Sequence, residues 1–164
     1  MRAILSILTY ILLVPWVVLF VIVHTLIWLY SLLFDRKGRA MQWACRFWSS
    51  SLFVAVPGWK LKVEGAENLD PQRPCVVVIN PRSMLDIPVM FNLNYLFKWV
   101  SKREVYKIPV FGWVLWERGD IAINRGNAAS TKEMMEKGKA FLANGISVNM
   151  FPEGTRSKDG EIHR

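Results

Sequence analysis

The sequence predicts an α/β domain that follows an apolar, membrane-embedded helical unit. Two observations lead to this prediction. The N-terminal stretch is almost free of charged residues, and the remainder alternates short apolar runs with helical patterns. We therefore expect an anchoring unit at residues 1–57 and the α/β domain at residues 58–164, with the turn-forming pair Pro57-Gly58 between them.

The N-terminal run, residues 3–34, contains no Asp, Glu, Lys or Arg. As a helix it is longer than the roughly 20 residues that cross a bilayer, and it is too long for the core of a signal peptide. We expect Pro15 to kink or divide it. The basic residues in segment 35–39 favour keeping the following domain on the cytoplasmic side, and the membrane is expected to be a bacterial-type inner membrane. His24 is either a proton relay or a polar residue tolerated near helix partners or headgroups. Since the nearby sequence holds no ionisable partner, the second interpretation is favoured.

A second apolar stretch covers residues 41–56. Large apolar side chains recur there at helical spacing, with Arg46 and several serines between them. The pattern indicates a helix that lies on the membrane surface. A core helix of the domain is the alternative.

Composition narrows the class of partner. The chain is 52% apolar, contains eight Trp and carries a formal net charge of +8. Nucleic acid and anionic lipid both attract such a charge, but only a lipid partner explains the apolar N-terminus, so we expect no nucleic acid. Cys45 and Cys75 form neither a CxxC pair nor a disulfide framework, and with two His in the chain no metal site is expected.

Within the α/β domain the pattern predicts five strands and two helices. The strands are expected at 59–63, 75–79, 97–101, 119–123 and 146–151, and the helices at 84–96 and 130–142. We expect Ser130 to cap the second helix and Glu133 to complete a capping box. Its inward-facing residues are expected to be Met134, Met135, Gly138 and Phe141.

A polar loop follows the predicted strand at 75–79, where α/β folds usually place chemistry. It reads Asn80-Pro81-Arg82-Ser83-Met84-Leu85-Asp86. This first signature resembles the Asn-His-x-Ser-x-x-Asp motif of the glycerolipid acyltransferases, the family of 1-acyl-sn-glycerol-3-phosphate (lysophosphatidic acid) acyltransferases. Asn80, Ser83 and Asp86 match the motif, and Pro81 stands at the position of its histidine.

The third signature gives the strongest resemblance. Residues 151–157 read Phe-Pro-Glu-Gly-Thr-Arg-Ser and match the family motif at every position. Its chemistry suits a phosphate, because Gly154 lets backbone N–H groups approach an anion, Thr155 can donate a hydrogen bond, and Arg156 offers a bidentate fork.

Two weaker matches lie between these signatures. Residues 119–125, the second signature, are similar to the family motif Gly-x-Ile-Phe-Ile-x-Arg, with Ala122 in place of the aromatic residue and Arg125 at the basic end. The run that begins at Lys102 resembles a basic family segment near the substrate. Taken alone, the second signature is equally well explained by a strand end with a solvated Arg. The run at Lys102 more commonly indicates a solvated charge cluster.

The resemblance implies a mixed sheet flanked by helices and a general-base acyl transfer. In the family, the motif histidine takes the proton of the glycerol hydroxyl and the motif aspartate, here Asp86, orients it. The hydroxyl then attacks an acyl thioester, supplied by acyl-CoA or acyl carrier protein without a further cofactor, and 1-acyl-glycerol-3-phosphate becomes phosphatidic acid. The acceptor phosphate would meet Arg125 and the loop Glu153, Gly154, Thr155 and Arg156, with Asn80, Ser83 and Lys102 in support. The motifs do not distinguish lysophosphatidate from glycerol-3-phosphate or other lyso-lipids as acceptor.

Two departures from the family pattern matter. Pro81 has no proton-accepting group, and loss of a general base lowers rates by about 10²–10⁴, so we expect this chain to be inactive or nearly so. The family continues through a further apolar segment, so we also expect the chain to be truncated. A non-catalytic lipid-binding membrane protein is the alternative function, and the complete third signature disfavours a plain structural anchor. Glu117, which interrupts the apolar run 110–116, has no explanation in the sequence.

Overall fold

The computed structural model describes residues 2–55, 60–80, 83 and 85–151. Two long N-terminal helices pack against an α/β layer built from four strands and three further helices. The helices are α1 (Arg2–Phe34), α2 (Arg39–Ala55), α3 (Asp86–Met90), α4 (Phe111–Glu117) and α5 (Ala128–Ala143); the strands are β1 (Val76–Val78), β2 (Phe97–Lys102), β3 (Ile121–Ile123) and β4 (Ser147–Met150). Short 3₁₀ turns occupy Ala66–Asn68 and Arg103–Lys107.

The sheet has the strand order β1-β4-β2-β3, and every pairing among the described strands is parallel. The α/β class is thus confirmed, although the expected mixed sheet is parallel over these strands. The predicted strand at 59–63 is wrong: residues 60–63 are exposed and form no strand, and position 59 lies outside the described residues. Its alternating pattern had no buried face to pack, and alternation alone does not make a strand.

The core of the α/β layer is aromatic. Phe97 and Trp99 of β2 are almost fully buried, with ring centroids 5.5 Å apart, and Phe91 and Tyr95 pack against Phe97 at 5.1 and 5.0 Å. Cys45 of α2 belongs to the same buried cluster. The second N-terminal helix therefore contributes directly to the core of the domain.

The two N-terminal helices are joined to each other by aromatic packing. Trp48 of α2 lies 4.9 Å from Trp16 and 5.1 Å from Phe20 of α1, measured between ring centroids. Pro15 does not divide α1, which is one helix. Its segment Val14–Phe34 is long and apolar enough to cross a membrane, and only 11% of its most apolar window is buried.

Helix α2 combines the two interpretations that the sequence allowed. One side is buried against α1, α3 and the sheet, and the other exposes Trp43 (63%) and Phe47 (54%). The buried residues of that helix are Met41, Ala44, Cys45, Trp48 and Ser49. The helix therefore has a core side and an aromatic outer side.

Two helix predictions need correction. The helix expected at 84–96 ends at Met90, where the Asn92 amide donates to the Pro88 carbonyl at 3.1 Å and closes the last turn. Helix α5 begins before Ser130 because Asn127 caps it, accepting from the Ser130 N–H at 2.9 Å. Ser130 itself is buried, and its hydroxyl accepts a backbone hydrogen bond from Asn124. Asn and Ser are comparable caps, so local sequence does not decide between them.

The inner side of α5 is also narrower than expected. Met135 is 51% exposed, whereas Met134 and Phe141 are half-buried. Glu133 forms an exposed ion pair with Lys137 at 2.8 Å. Because Asn127 and not Ser130 is the N-cap, Glu133 is not at the capping-box position.

Candidate functional site

Each family-like segment follows a strand of the sheet. The first signature follows β1, the basic run begins with Lys102 at the end of β2, Arg125 follows β3, and the third signature starts where β4 ends. Because all four strands are parallel, their carboxyl ends meet at one edge. We call it the carboxyl edge.

The first and third signatures leave neighbouring strands. Val78 of β1 pairs with Met150 of β4, and the Ile79 N–H donates to the Met150 carbonyl at 3.0 Å. Asn80 and Phe151 therefore continue from strand ends about 4.8 Å apart, the spacing of adjacent strands. Pro81 and residues 152–157, which include Glu153, Gly154, Thr155 and Arg156, lie outside the described residues.

The described part of the first signature is a compact turn that leads into α3. The Asp86 carboxylate accepts the Ser83 N–H at 2.9 Å, and the Ser83 hydroxyl accepts the Leu85 N–H at 3.1 Å. Asp86 is half-buried and stands in the first turn of the helix. The Asn80 Oδ1 atom is buried and accepts no hydrogen bond from the residues that the structure describes. The Ser83 N–H thus holds the Asp86 carboxylate at the carboxyl edge.

The two basic candidates lie further along that edge. Arg125 is exposed and follows β3, which is separated from β1 by two strands, or about 14 Å at the usual spacing. Lys102 ends β2, is exposed, and has its ammonium group 3.6 Å from the Glu104 carboxylate. The fold brings both cations to the edge that holds Asp86, but it places Arg125 at the opposite end.

A buried cluster of polar side chains, which sequence reasoning missed, joins α1 to α4. The His24 Nδ1 atom lies 2.6 Å from Glu117 Oε2, and the Thr25 hydroxyl donates to Glu117 Oε1 at 2.7 Å. His24 is fully buried, and its Nε2 atom lies 3.5 Å from the Cys45 sulfur. His24 therefore has a partner on another helix, and this partner, Glu117, is the ionisable residue that the sequence left unexplained. An isolated ionisable residue in each of two apolar runs was the signal.

A second buried group ties α2 and the end of α4 to β2. The Arg118 guanidinium lies 3.0 Å from the Asp120 carboxylate and donates to the Phe97 carbonyl at 2.9 Å and to Gln42 at 3.1 Å. Asp120 in turn accepts the Trp99 N–H at 2.9 Å. Each guanidinium nitrogen of Arg118 and each carboxylate oxygen of Asp120 has a hydrogen-bond partner, and losing one member of the pair would leave a buried charge. We therefore assign a structural role to this group.

Burial also changes the acid–base properties around Arg118. The Lys98 ammonium group donates to the Arg118 carbonyl, and burial together with the nearby Arg118 charge lowers the pKa of Lys98 to about 8. Burial raises the pKa of the Cys45 thiol, which keeps it protonated and inert. The described residues contain no group of three or more His, Cys, Asp or Glu placed to hold a metal ion.

Comparisons with known proteins agree with the resemblance. A family model described as Acyltransferase matches residues 60–164. The chain is 36% identical over 135 residues to the chloroplastic 1-acyl-sn-glycerol-3-phosphate acyltransferase BAT2 of Brassica napus, covering 81% of this chain and 39% of that protein. It is 34% identical over 119 residues to the 1-acyl-sn-glycerol-3-phosphate acyltransferase of Pseudomonas aeruginosa, covering 72% and 46%.

The fold matches a solved structure of the same type. The crystal structure of the 1-acyl-sn-glycerophosphate (LPA) acyltransferase PlsC from Thermotoga maritima superposes with a TM-score of 0.70 at 27% identity, covering 99% of this chain and 66% of that one. The match includes the N-terminal helices as well as the sheet, since nearly the whole chain is covered. The matched part of this chain spans 39% and 46% of the lengths of these two curated relatives.

Proposed function

Because the chain belongs to the acyltransferase family, we propose that its carboxyl edge binds 1-acyl-glycerol-3-phosphate for acyl transfer to the free hydroxyl. The supporting observation is that the first and third signatures leave neighbouring parallel strands, β1 and β4. Under this proposal, the loop that binds the phosphate begins at β4, next to the strand that leads to the loop handling the hydroxyl. Both curated relatives described above carry the name of this activity.

The role of each site residue follows from its charge and its position on the sheet. The third signature, with Arg156 as its fork, holds the phosphate, and Lys102 and Arg125 add positive charge along the same edge. Asp86 follows β1, the strand that pairs with β4, and the acceptor hydroxyl would bind next to it. The hydroxyl oxygen forms an ester bond with the thioester carbonyl carbon, and the sulfur of acyl-CoA or acyl carrier protein leaves as a thiol with the hydroxyl proton. The product is phosphatidic acid.

Pro81 makes this chain a poor catalyst of that reaction. It provides no proton acceptor, and Asp86 has no imidazole to orient at the second position of the first signature. His24 is not a substitute, because it is fully buried and already pairs with Glu117. We propose that the chain binds its acceptor and turns over slowly or not at all.

Restoring the histidine tests the proposal. In purified membranes, the Pro81→His variant should transfer acyl groups from acyl-CoA to lysophosphatidate about 10²–10⁴ times faster than the original chain. Adding Asp86→Asn keeps an oxygen that can accept the Ser83 N–H, but it should remove most of the gain because the imidazolium loses its charged partner. If Pro81→His folds, binds lysophosphatidate and shows no gain, the catalytic assignment fails.

A non-catalytic lysophospholipid-binding protein is the second candidate, and Pro81 is the observation that favours it. This second function predicts tight lysophosphatidate binding without turnover, even with histidine at position 81. Under either function Arg156→Ala should weaken binding of the phosphorylated acceptor. The matched control is Arg73→Ala, because Arg73 is exposed and precedes β1, at the opposite edge of the sheet. Equal affinities for the two variants would remove the phosphate assignment.

We also propose that α1 anchors the chain in a bacterial-type inner membrane with the sheet in the cytoplasm. The support is the apolar segment Val14–Phe34 and the basic residues Arg36, Lys37 and Arg39 that follow it. Protease added to inverted inner-membrane vesicles should digest the α/β part, and protease added to right-side-out spheroplasts should not.

A further inference from the structure

Helix α4 exposes two tryptophans on one side. Trp113 and Trp116 are three positions apart, so they are neighbours on the helix surface, and they are 53% and 63% exposed. We call this pair the aromatic surface. Large aromatic side chains exposed together usually mark a binding surface. The carboxyl-edge proposal makes no use of this one.

The aromatic surface cannot turn inward, because α4 is held in one orientation. Gly112 packs so closely under the 3₁₀ turn that a Cβ atom there would lie 2.1 Å from the Tyr106 carbonyl oxygen. Val114 and Leu115 pack against the aromatic core from the other side. Rolling the helix to bury its tryptophans would break both contacts, so their exposure is built into the fold.

The aromatic surface is continuous with the apolar side of α1. The rings of Trp116 and Trp28 are 5.2 Å apart, and the next residue, Glu117, makes the hydrogen bonds to His24 and Thr25. Beyond Trp28, α1 exposes Leu29 (48%) and Leu32 (58%). Whatever covers the apolar side of α1 must therefore also reach Trp116.

The continuity with α1 indicates what covers the aromatic surface. The segment Val14–Phe34 is long and apolar enough to cross a membrane, and the membrane anchoring proposed above would put lipid on its apolar side. Tryptophan is favoured at the headgroup level of a bilayer, with its ring in the apolar part and its N–H in the polar part. Arg103 and Lys107 are exposed in the turn directly before α4, where they can meet anionic headgroups.

We propose that the aromatic surface lies in the interface of the same anionic bilayer that holds α1. The domain then has a second membrane contact besides its N-terminal helices, and the buried bonds from Glu117 to His24 and Thr25 keep the two contacts at a fixed relative height. The turn Arg103–Lys107 connects β2 to α4, so the docked surface holds the carboxyl edge close to the lipid. The proposal concerns membrane contact alone and stands apart from acyl transfer.

Two labelled variants of the full chain test it. Trp113→Cys and Met135→Cys place an environment-sensitive fluorophore on α4 and on α5, at positions of nearly equal exposure (53% and 51%). Both are made with Cys75→Ser, and Cys45 is too buried to react. Each chain is reconstituted into vesicles of phosphatidylcholine and phosphatidylglycerol that contain a phospholipid with a nitroxide near the headgroup.

The expected result is several-fold stronger quenching, with a blue-shifted emission, at position 113 than at position 135. In vesicles of phosphatidylcholine alone, or with Arg103→Gln and Lys107→Gln, quenching at position 113 should decrease while α1 stays inserted. Equal quenching at the two positions would overturn the proposal and leave a soluble protein as the partner. Unchanged quenching in neutral vesicles would overturn the assignment to anionic lipid. Both results can be read in chains that have no acyltransferase activity.

Discussion

Removal of the Glu117 carboxylate should destabilise the chain far more than the loss of an ordinary surface group. Its two oxygens serve His24 at 2.6 Å and Thr25 at 2.7 Å, and the His24 and Glu117 side chains are only 0% and 10% exposed. In Glu117→Leu both partners lose their acceptor, while His24 remains fully buried and Thr25 half-buried. An unsatisfied buried group costs about 1–3 kcal/mol, so we expect a loss of roughly 2–5 kcal/mol in the free energy of unfolding.

A double-mutant cycle measures the pairing itself. Glu117→Leu, His24→Leu and the double variant are unfolded with denaturant in detergent micelles and followed by near-ultraviolet circular dichroism. The double variant should be destabilised by less than the sum of the two singles, with a coupling above about 1 kcal/mol. Each single variant leaves the other member of the pair without its partner, whereas the double variant removes both members. Glu64→Leu removes an exposed ion pair with Lys62 and should change stability by less than about 1 kcal/mol. Additive single effects would refute the idea that Glu117 and His24 stabilise each other.

Two further predictions concern the packing of α4 and the titration of Lys98. Gly112→Ala should destabilise the chain by about 1–3 kcal/mol, because the new methyl group meets the Tyr106 backbone. In the same unfolding measurement, Gly138→Ala should stabilise α5 by about 0.5–1 kcal/mol, because its methyl group meets nothing within 4 Å. Equal effects of the two substitutions would contradict the close packing of Gly112 against Tyr106. Burial lowers the pKa of Lys98 to about 8 in the folded chain, against 10.5 for the ordinary side chain, so between these values the unfolded chain binds more protons and stability rises with pH. At about 1.4 kcal/mol per pH unit, the wild type should gain about 2 kcal/mol relative to Lys98→Met between pH 8 and about pH 9.5, and parallel stability curves for the two proteins would contradict the shift.

The sequence was informative wherever a short run carries its own signal. Four of the five predicted strands are confirmed to within a few residues, because each segment carries β-branched or aromatic residues in a run or at alternate positions. The predictions that failed depended on competition between neighbours. Asn127 rather than Ser130 caps α5, and α3 stops early because the Asn92 side chain closes its last turn.

The candidate site was only partly predictable, for a physical reason. That the signatures follow strands can be read locally, and parallel strands then put them at one edge. The order of the strands cannot be read that way, since it depends on pairings between distant segments. The order β1-β4-β2-β3 makes the first and third signatures neighbours and sends Arg125 to the far edge strand. No spacing in the sequence distinguishes that order from one in which Arg125 adjoins Asp86.

The buried partners His24 and Glu117 show what a different kind of sequence argument could have found. Each is an isolated ionisable residue in an otherwise apolar run, and burying either one alone would be costly. Two such residues in one chain are therefore candidates for each other, even when 93 positions separate them. The pairing also bears on catalysis, because an imidazole that is fully buried and hydrogen-bonded to Glu117 cannot reach an acceptor at the carboxyl edge. The presence of His24 thus gives no reason to expect turnover, and any activity gained by Pro81→His should persist when His24 and Glu117 are both replaced by Leu, provided that the chain still folds.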